Sequence, residues 1–493
     1  MAEPGRDRSM VDLTEGNIPR HLIRFSIPML LGNLLQALYN TVDSIWVGRF
    51  VGPEALGAVS ISFPIIFALV ALVMGITMAT TTMVAQYAGA KQYDMVRKTI
   101  NNSILVLILS GLFLTGIGLW LHVPILRLIN APEAILPMAS SYLSIFLGGM
   151  IFMFGYNVLG AILRGLGDSR TPLKFLFVAT VVNIVLDPFL IIGIGPFPQM
   201  GVAGAALATV ISQGVATVLA LNYLNKKDHL VAIRWRELKY DAQLTRTTVR
   251  IGLPAGIQQT VVALGGLAVS SMINSFGPLV VAAYGAAMRL DQFAFMPSMS
   301  IGLAVSSLVG QNMGAGREDR VRETVRWGSL ITTGITGIMT LVAVFRPQIL
   351  LVLFTTNAEV IANGSQYLRI VGLSYIPFAL MFVITGALRG AGDTIPTMAI
   401  SITTLWLVRI PLARYLSSLP NLGVQGIWMA IAISSTTGMI LARLYYATGR
   451  WKNKAVVRSG PVLPALDEKT PETAGNRSAQ DLSSQKVNTQ EGS

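Results

Sequence analysis

MVAQYAGAKQYD (83–94) returns as LVGQNMGAGRED (308–319), and that recurrence decides how the chain is put together. Val, Gln, Gly, Ala and Asp stand at matching places in the two copies. Working outward, LRGLGDSRTP (163–172) pairs with LRGAGDTIPT (388–397), and RFSIPMLL (24–31) with RIGLPAGI (250–257). SSYL (140–143) falls on SQYL (365–368), and GVAGAALA (201–208) on GVQGIWMA (423–430). The offset stays near 225 residues and shrinks slightly toward the end. Chance similarity of small residues would scatter such matches, whereas these keep their order, so the halves are related unit by unit.

The repeated material is membrane material. Of 493 residues, 53% are hydrophobic and only 12% charged, with a mean hydropathy of +0.60. A soluble domain carries roughly 25% charged residues. Apolar runs long enough to span a bilayer are expected at about 22–48, 55–87, 99–121, 136–163, 171–193 and 201–224 in the first half. The second half offers 248–274, 280–312, 326–346, 364–388, 395–417 and 423–447. The expected fold is therefore all-α and polytopic, with twelve transmembrane helices in two pseudo-twofold-related six-helix bundles. Six is even, so both halves start on the same side of the membrane, which makes a parallel repeat.

The net charge of +13 would suit a nucleic-acid binder in a soluble chain. Here the basic residues sit in short loops at alternate helix ends, among them Lys91, Arg97, Lys174, Arg317, Arg326 and Lys452. That is the positive-inside pattern, and it places both termini in the cytoplasm. No cleavable signal peptide is expected, because Met1–Arg20 is polar and the first apolar run is too long. With no cysteine there is no disulfide framework, thiolate metal site or thiol nucleophile. The expected layout is a cytoplasmic segment 1–20, a first lobe 21–224, a basic linker 225–247, a second lobe 248–450 and a disordered tail 451–493.

Two such bundles around a cleft imply a transporter in which one lobe rocks against the other. A channel would need a polar ring repeated in both halves. Instead Asp43 falls on Val269 and Asp187 on Ile410, so the acids belong to the first lobe alone. In the first helix, Asn33, Gln36, Tyr39, Asn40 and Asp43 recur at three- and four-residue spacing and form a polar stripe. A carboxylate inside a bilayer costs roughly 2.5–3.5 kcal/mol and needs a partner, a wet cavity or a task. In the fifth helix Asn183 and Asp187 share a face, and Pro188 weakens the backbone bonding beside them. Thr209 and Tyr142 come to comparable depth in helices six and four. Two carboxyls with amide and hydroxyl oxygens can share a proton or surround a hard cation. The plain alternatives are helix capping for the acids and interhelical hydrogen bonding for the others.

These residues resemble a known family. LTEGNIPRHLIRFSIPMLLGNLLQALYNTVDSIWVGR (13–49), the paired VAQYAGA and LVGQNMGAG segments and the paired LRGLGD and LRGAGD turns are similar to the multidrug and toxic compound extrusion (MATE) family over roughly residues 11–450. The resemblance implies an antiporter, not an enzyme, in the cell membrane. It would exchange cationic amphipathic compounds for protons or sodium, with no cofactor beyond the coupling ion, and act as a monomer. The first-lobe acids resemble the DinF-like branch. On that likeness Asp43, Asn183, Asp187 and Thr209 carry the coupling ion, a proton or a sodium ion. Tyr39, Tyr142 and Asn157 match polar-network positions, Gln36 and Asp291 are candidates for the network or the substrate cavity, and Pro28 matches a proline proposed as a hinge. Second-lobe acids of the NorM-like branch are missing here: helix seven offers Gln258 and Gln259.

Several residues keep two readings. Asp291 and Arg289 are two apart and cannot face each other on a helix, so each needs its own partner. Arg409 serves structure or snorkels outward. Met288, Met296 and Met299 suit packing or an adaptable drug surface. Asp168 and Asp393, beside turn glycines, are expected to cap helices. A membrane-embedded enzyme would need a catalytic cluster at one membrane face, and neither HExxH nor GxSxG occurs. The remaining rival is an exporter of lipid-linked or other amphiphilic substrates, which would favour positive cavity residues.

Overall fold

A computed structural model describes residues 11–225, 232 and 239–457, and among them there are helices and no strands. The first half holds α1 (Ile18–Phe50), α2 (Pro53–Gly89), α3 (Tyr93–Leu128), α4 (Leu136–Gly148 and Met150–Gly165, bent by 47°), α5 (Arg170–Gly193) and α6 (Val202–Leu224). The second half holds α7 (Ala242–Asn274), α8 (Pro278–Gly314), α9 (Glu318–Phe345), α10 (Ala358–Gly390), α11 (Thr394–Ser417) and α12 (Val424–Ala447). Eleven of them are long and apolar enough to cross a membrane, and the bent pair makes twelve. The helices outrun the apolar segments, because polar first turns are capped: Asn17 accepts from the Arg20 N–H, and Asp241 from those of Gln243 and Leu244.

The repeat reaches into the turns. α2 and α8 both start with proline after a glycine at positive φ (Gly52, +116°; Gly277, +94°), a conformation that side chains disfavour, followed by a residue whose missing N–H costs a helix nothing at its first position. In α5, Pro188 removes a donor and Phe189–Gly193 widen into π-helical turns. In α11 the widened segment is Thr403–Arg409. The wide turns therefore begin beside Asp187 in one lobe and end on Arg409 in the other.

The two lobes do not divide at the linker as the apolar runs suggest. The start of α1 (Ile18, Leu22, Phe25) is buried among Val305, Leu308 and Val325 of the second half, whereas Val47 near its end lies in the core of the first. α7 does the reverse: Leu244 and Ile251 sit in the first-half core, and Val269 and Ile273 in the second. Each helix changes sides near its proline, Pro28 or Pro254, and α1 runs unbroken through Pro28. A first lobe starting at residue 21 is thus corrected: the lobes exchange the basic ends of α1 and α7.

Both flanking boundaries shift as well. Residues 242–247, assigned to the linker, are the first turns of α7. Residues 451–457, assigned to a disordered tail, are packed down: Trp451 is buried and stacks on Tyr446 at 5.1 Å, and Val457 is buried. The rest of the tail, most of the linker and residues 1–10 lie outside the described residues.

The opening motifs turn out to hold the lobes together. Gln86 of α2 donates through Nε2 to the Gly390 carbonyl (2.8 Å), in the second-half LRGAG turn. Gln311 of α8 donates to the Gly165 carbonyl (3.0 Å), in the first-half LRGLG turn. Each Oε1 accepts a backbone N–H from a flanking segment, Val456 for Gln86 (2.6 Å) and Leu13 for Gln311 (2.9 Å). The helices touch backbone to backbone here. A Cβ on Gly89 would stand 1.9 Å from the Gln311 carbonyl oxygen, and one on Gly314 1.8 Å from that of Gln86. The arginine-rich end of the bundle is therefore closed by a pseudo-symmetric clamp.

Candidate functional site

Two polar centres lie inside the bundle, one per lobe. In the first, α1 supplies Tyr39 and Asp43, α5 supplies Asn183 and Asp187, and α4 and α6 supply Tyr142 and Thr209. α1 packs on α5, α5 on α6, and α6 on α4, which brings these side chains inward together. Asp43 is 8% exposed and Asp187 is fully buried. They are close enough to act on one another electrostatically, and both act on Tyr39 and Tyr142. Asn183 Nδ2 donates to Asp187 Oδ1 at 3.2 Å. Tyr39 approaches Thr209 without a well-formed hydrogen bond.

The unsatisfied atoms define the chemistry. The Tyr39 hydroxyl, Asp43 Oδ1, Asn183 Oδ1 and Asp187 Oδ2 are all buried without a hydrogen-bond partner. Among the described residues no cation lies within 4.0 Å of either acid. Buried polar atoms are normally satisfied, and an unpaired buried carboxylate costs several kcal/mol. Two converging carboxyls, an amide oxygen and a phenol offer oxygen donors to a hard cation, or one carboxyl can hold a proton and relieve its neighbour.

The other sequence candidates divide between the centres. Asn33, Gln36 and Asn40, on the flank of the α1 stripe, line a cavity of about 570 Å³ shared with the second half. Asn157 does not reach the acids: Nδ2 donates to the Met153 carbonyl of its own helix at 2.8 Å. Asp168 caps α5, accepting the N–H groups of Arg170 and Thr171, whereas Asp393 accepts the Tyr445 hydroxyl at 2.6 Å.

The second centre faces that cavity. Asp291 of α8 is buried and accepts two phenols of α10, Tyr367 at 2.5 Å and Tyr375 at 2.6 Å. Arg289 turns away, over the Phe354 ring. Arg409 reaches the same cavity, with Nε donating to Ser434 (2.8 Å) and Nη2 to Ser435 (3.3 Å) and no carboxylate within 4.0 Å among the described residues. Met288, Met296 and Met299 line it too, beside Phe295 and Phe378, whose rings stack at 4.0 Å. Gln258 is engaged with Ser401 and Thr397 of α11. The sequence reading missed Tyr367 and Tyr375. A signal existed for the first: Tyr367 is the repeat partner of Tyr142, so one tyrosine position faces an acid in each lobe.

Repeat-related lobes, a clamp at one end, an amphipathic cavity and buried unpaired acids together define a polytopic membrane transporter. The family described as MatE matches residues 28–189 and again 254–415, one match per half. The chain belongs to that family. It is 34% identical over 441 residues to a probable multidrug resistance protein, YpnP, of Bacillus subtilis, covering 90% of this chain and 97% of that one. It is also 26% identical, over 86% of this chain and 93% of the other, to a protein of Shewanella oneidensis named FAD transporter. Among solved structures, one described as the outward-facing conformation of a multidrug resistance MATE family transporter superposes with a TM-score of 0.83. Its identity is 24%, with 92% of this chain and 99% of that chain covered, a likeness of fold.

Proposed function

We propose that this protein exports amphipathic organic cations across the cell membrane in exchange for protons or sodium ions, by alternating access between its lobes. The observation that carries the reading is the acidic pair Asp43 and Asp187, buried and short of partners. Occupying the pair with a proton or a sodium ion relieves the repulsion and gives carboxylate oxygens a partner, and the outer half of α1 can then repack against α5 and α6. The empty pair favours a different arrangement, so ion binding biases the two states of the lobes. Asn183 fixes Asp187, and Tyr39, Tyr142 and Thr209 supply further oxygen atoms around the ion. The second-lobe cavity supplies aromatic and methionine surface for an apolar cation, with Asp291 as the countercharge. The basic loop ends face the cytoplasm, so the clamped form is closed to the cytoplasm.

One observation favours a second reading. Arg409, with no carboxylate within 4.0 Å among the described residues, adds a cation to the same cavity, and one relative is named FAD transporter. An amphiphilic anion, lipid-linked or nucleotide-like, would use Arg409 instead of Asp291. Proteoliposomes loaded with an organic cation decide between them. Export under an imposed pH or sodium gradient supports coupled cation export; no export under either gradient, with export of an anionic substrate that Arg409→Gln abolishes, supports the second reading.

A further inference from the structure

A groove remains at the arginine-rich end of the second lobe, remote from both polar centres. α9 and α12 each pack on α10 and splay apart over it, leaving a cleft of about 1140 Å³. Its floor and walls are apolar: Leu380 and Ile384 of α10, Leu330 of α9, Ile440 and Leu444 of α12. Its mouth is basic: Arg322, Arg326, Arg443 and Lys452. Glu318 pairs with Arg322 and Lys452. Arg326 and Arg443 have no ion pair within 4.0 Å among the described residues. The Tyr446 hydroxyl, on the same wall, is buried without a hydrogen-bond partner.

We infer that this groove is a binding site for an anionic phospholipid, its phosphate held by Arg326 and Arg443 and its acyl chains lying along α9 and α12. Guanidinium groups pair with phosphate through two donors, and basic pockets between membrane helices at their loop ends suit anionic headgroups. The cleft is larger than the roughly 300–1,000 Å³ usual for a small soluble ligand and opens along helix faces, which fits a chain-bearing molecule. The repeat shows that the fold does not require the two free cations. At the offset of 225, Arg326 falls on Asn101, and at the later offset of 222 Arg443 falls on Leu221. Trp451 and Lys452 border the groove just before Val456, whose N–H is latched to Gln86, so the lipid would lie against the strap of the clamped end.

The test is native mass spectrometry of the full chain with equimolar phosphatidylglycerol and phosphatidylcholine. Retention of phosphatidylglycerol over phosphatidylcholine is expected, about 30-fold weaker in Arg326→Gln/Arg443→Gln, which loses two cations at the anionic surface, and intermediate in Arg326→Lys/Arg443→Lys, which keeps the charges but not the paired donors. Melting in phosphatidylcholine alone checks that the variants fold, and Arg443→Gln alone, with a smaller loss expected, replaces the double variant if it does not. Equal retention of both lipids would overturn the inference, as would unchanged retention in the glutamine variants. Displacement of phosphatidylglycerol by equimolar inorganic phosphate would assign the cations to a small anion and overturn the lipid.

Discussion

Replacing Gln86 with alanine should unlock the arginine-rich end of the bundle, and its size can be worked from the clamp. The substitution removes the bond to the Gly390 carbonyl and the bond from the Val456 N–H. At about 0.5–1.5 kcal/mol net each, the closed form loses about 1–3 kcal/mol, while an open form, where water reaches these groups, loses little. That shifts the closed-to-open ratio roughly 5- to 150-fold. Gln311→Ala should do the same through Gly165 and Leu13. The double variant should depart from additivity, because the two residues meet at the same backbone crossing. The chain has no cysteine, so Thr82→Cys provides a background-free reporter. Thr82 is 1% exposed and its hydroxyl donates across the lobes to the Arg389 carbonyl, so a thiol there is reachable only when the lobes part. Labelling by a water-soluble maleimide should accelerate by the factor above when Gln86→Ala is added. An unchanged labelling rate in a folded variant would refute the assignment of these bonds to the closed state.

Further outcomes follow from the same geometry. Gly314→Ala places a methyl group 1.8 Å from the Gln86 carbonyl oxygen, so it should abolish export while leaving the thiol of the Thr82→Cys reporter permanently reactive and substrate binding measurable. Tyr367→Phe deletes one of two donors to buried Asp291 and should lower thermal stability by about 1–3 kcal/mol, read from the melting shift of the detergent-solubilised protein. Asn157→Ala breaks only a bond within its own helix, so stability should change by less than about 0.5 kcal/mol and gradient-driven export should persist.

The helices were legible because apolar runs and a duplicated motif are local in sequence. Helix exchange between lobes was not, since nothing in RFSIPMLL or RIGLPAGI says which core receives their side chains. The polar stripe of α1 was legible as a stripe, but it serves two surfaces. On a helix the Tyr39–Asp43 row and the Gln36–Asn40 row are about 60° apart, enough at a lobe boundary for one to face the acids and the other the cavity. Asp187 announced itself through its burial in an apolar run and through Pro188. The partners of Asp291 did not, because Tyr367 and Tyr375 are 76 and 84 residues away and meet it only in the folded bundle. Gln86 and Gln311 stood in the most visible motif of the chain, yet their clamp depends on contacts between halves that no periodicity encodes.

The central proposal is that Asp43 and Asp187 hold the ion that drives export. The direct measurement is organic-cation export from proteoliposomes under a pH gradient and a sodium gradient imposed separately, comparing the parent chain with Asp43→Asn. Export by the parent is expected under one of the gradients and none by Asp43→Asn under either, with its fold and substrate binding intact. Parent-level, gradient-driven export by Asp43→Asn would contradict it.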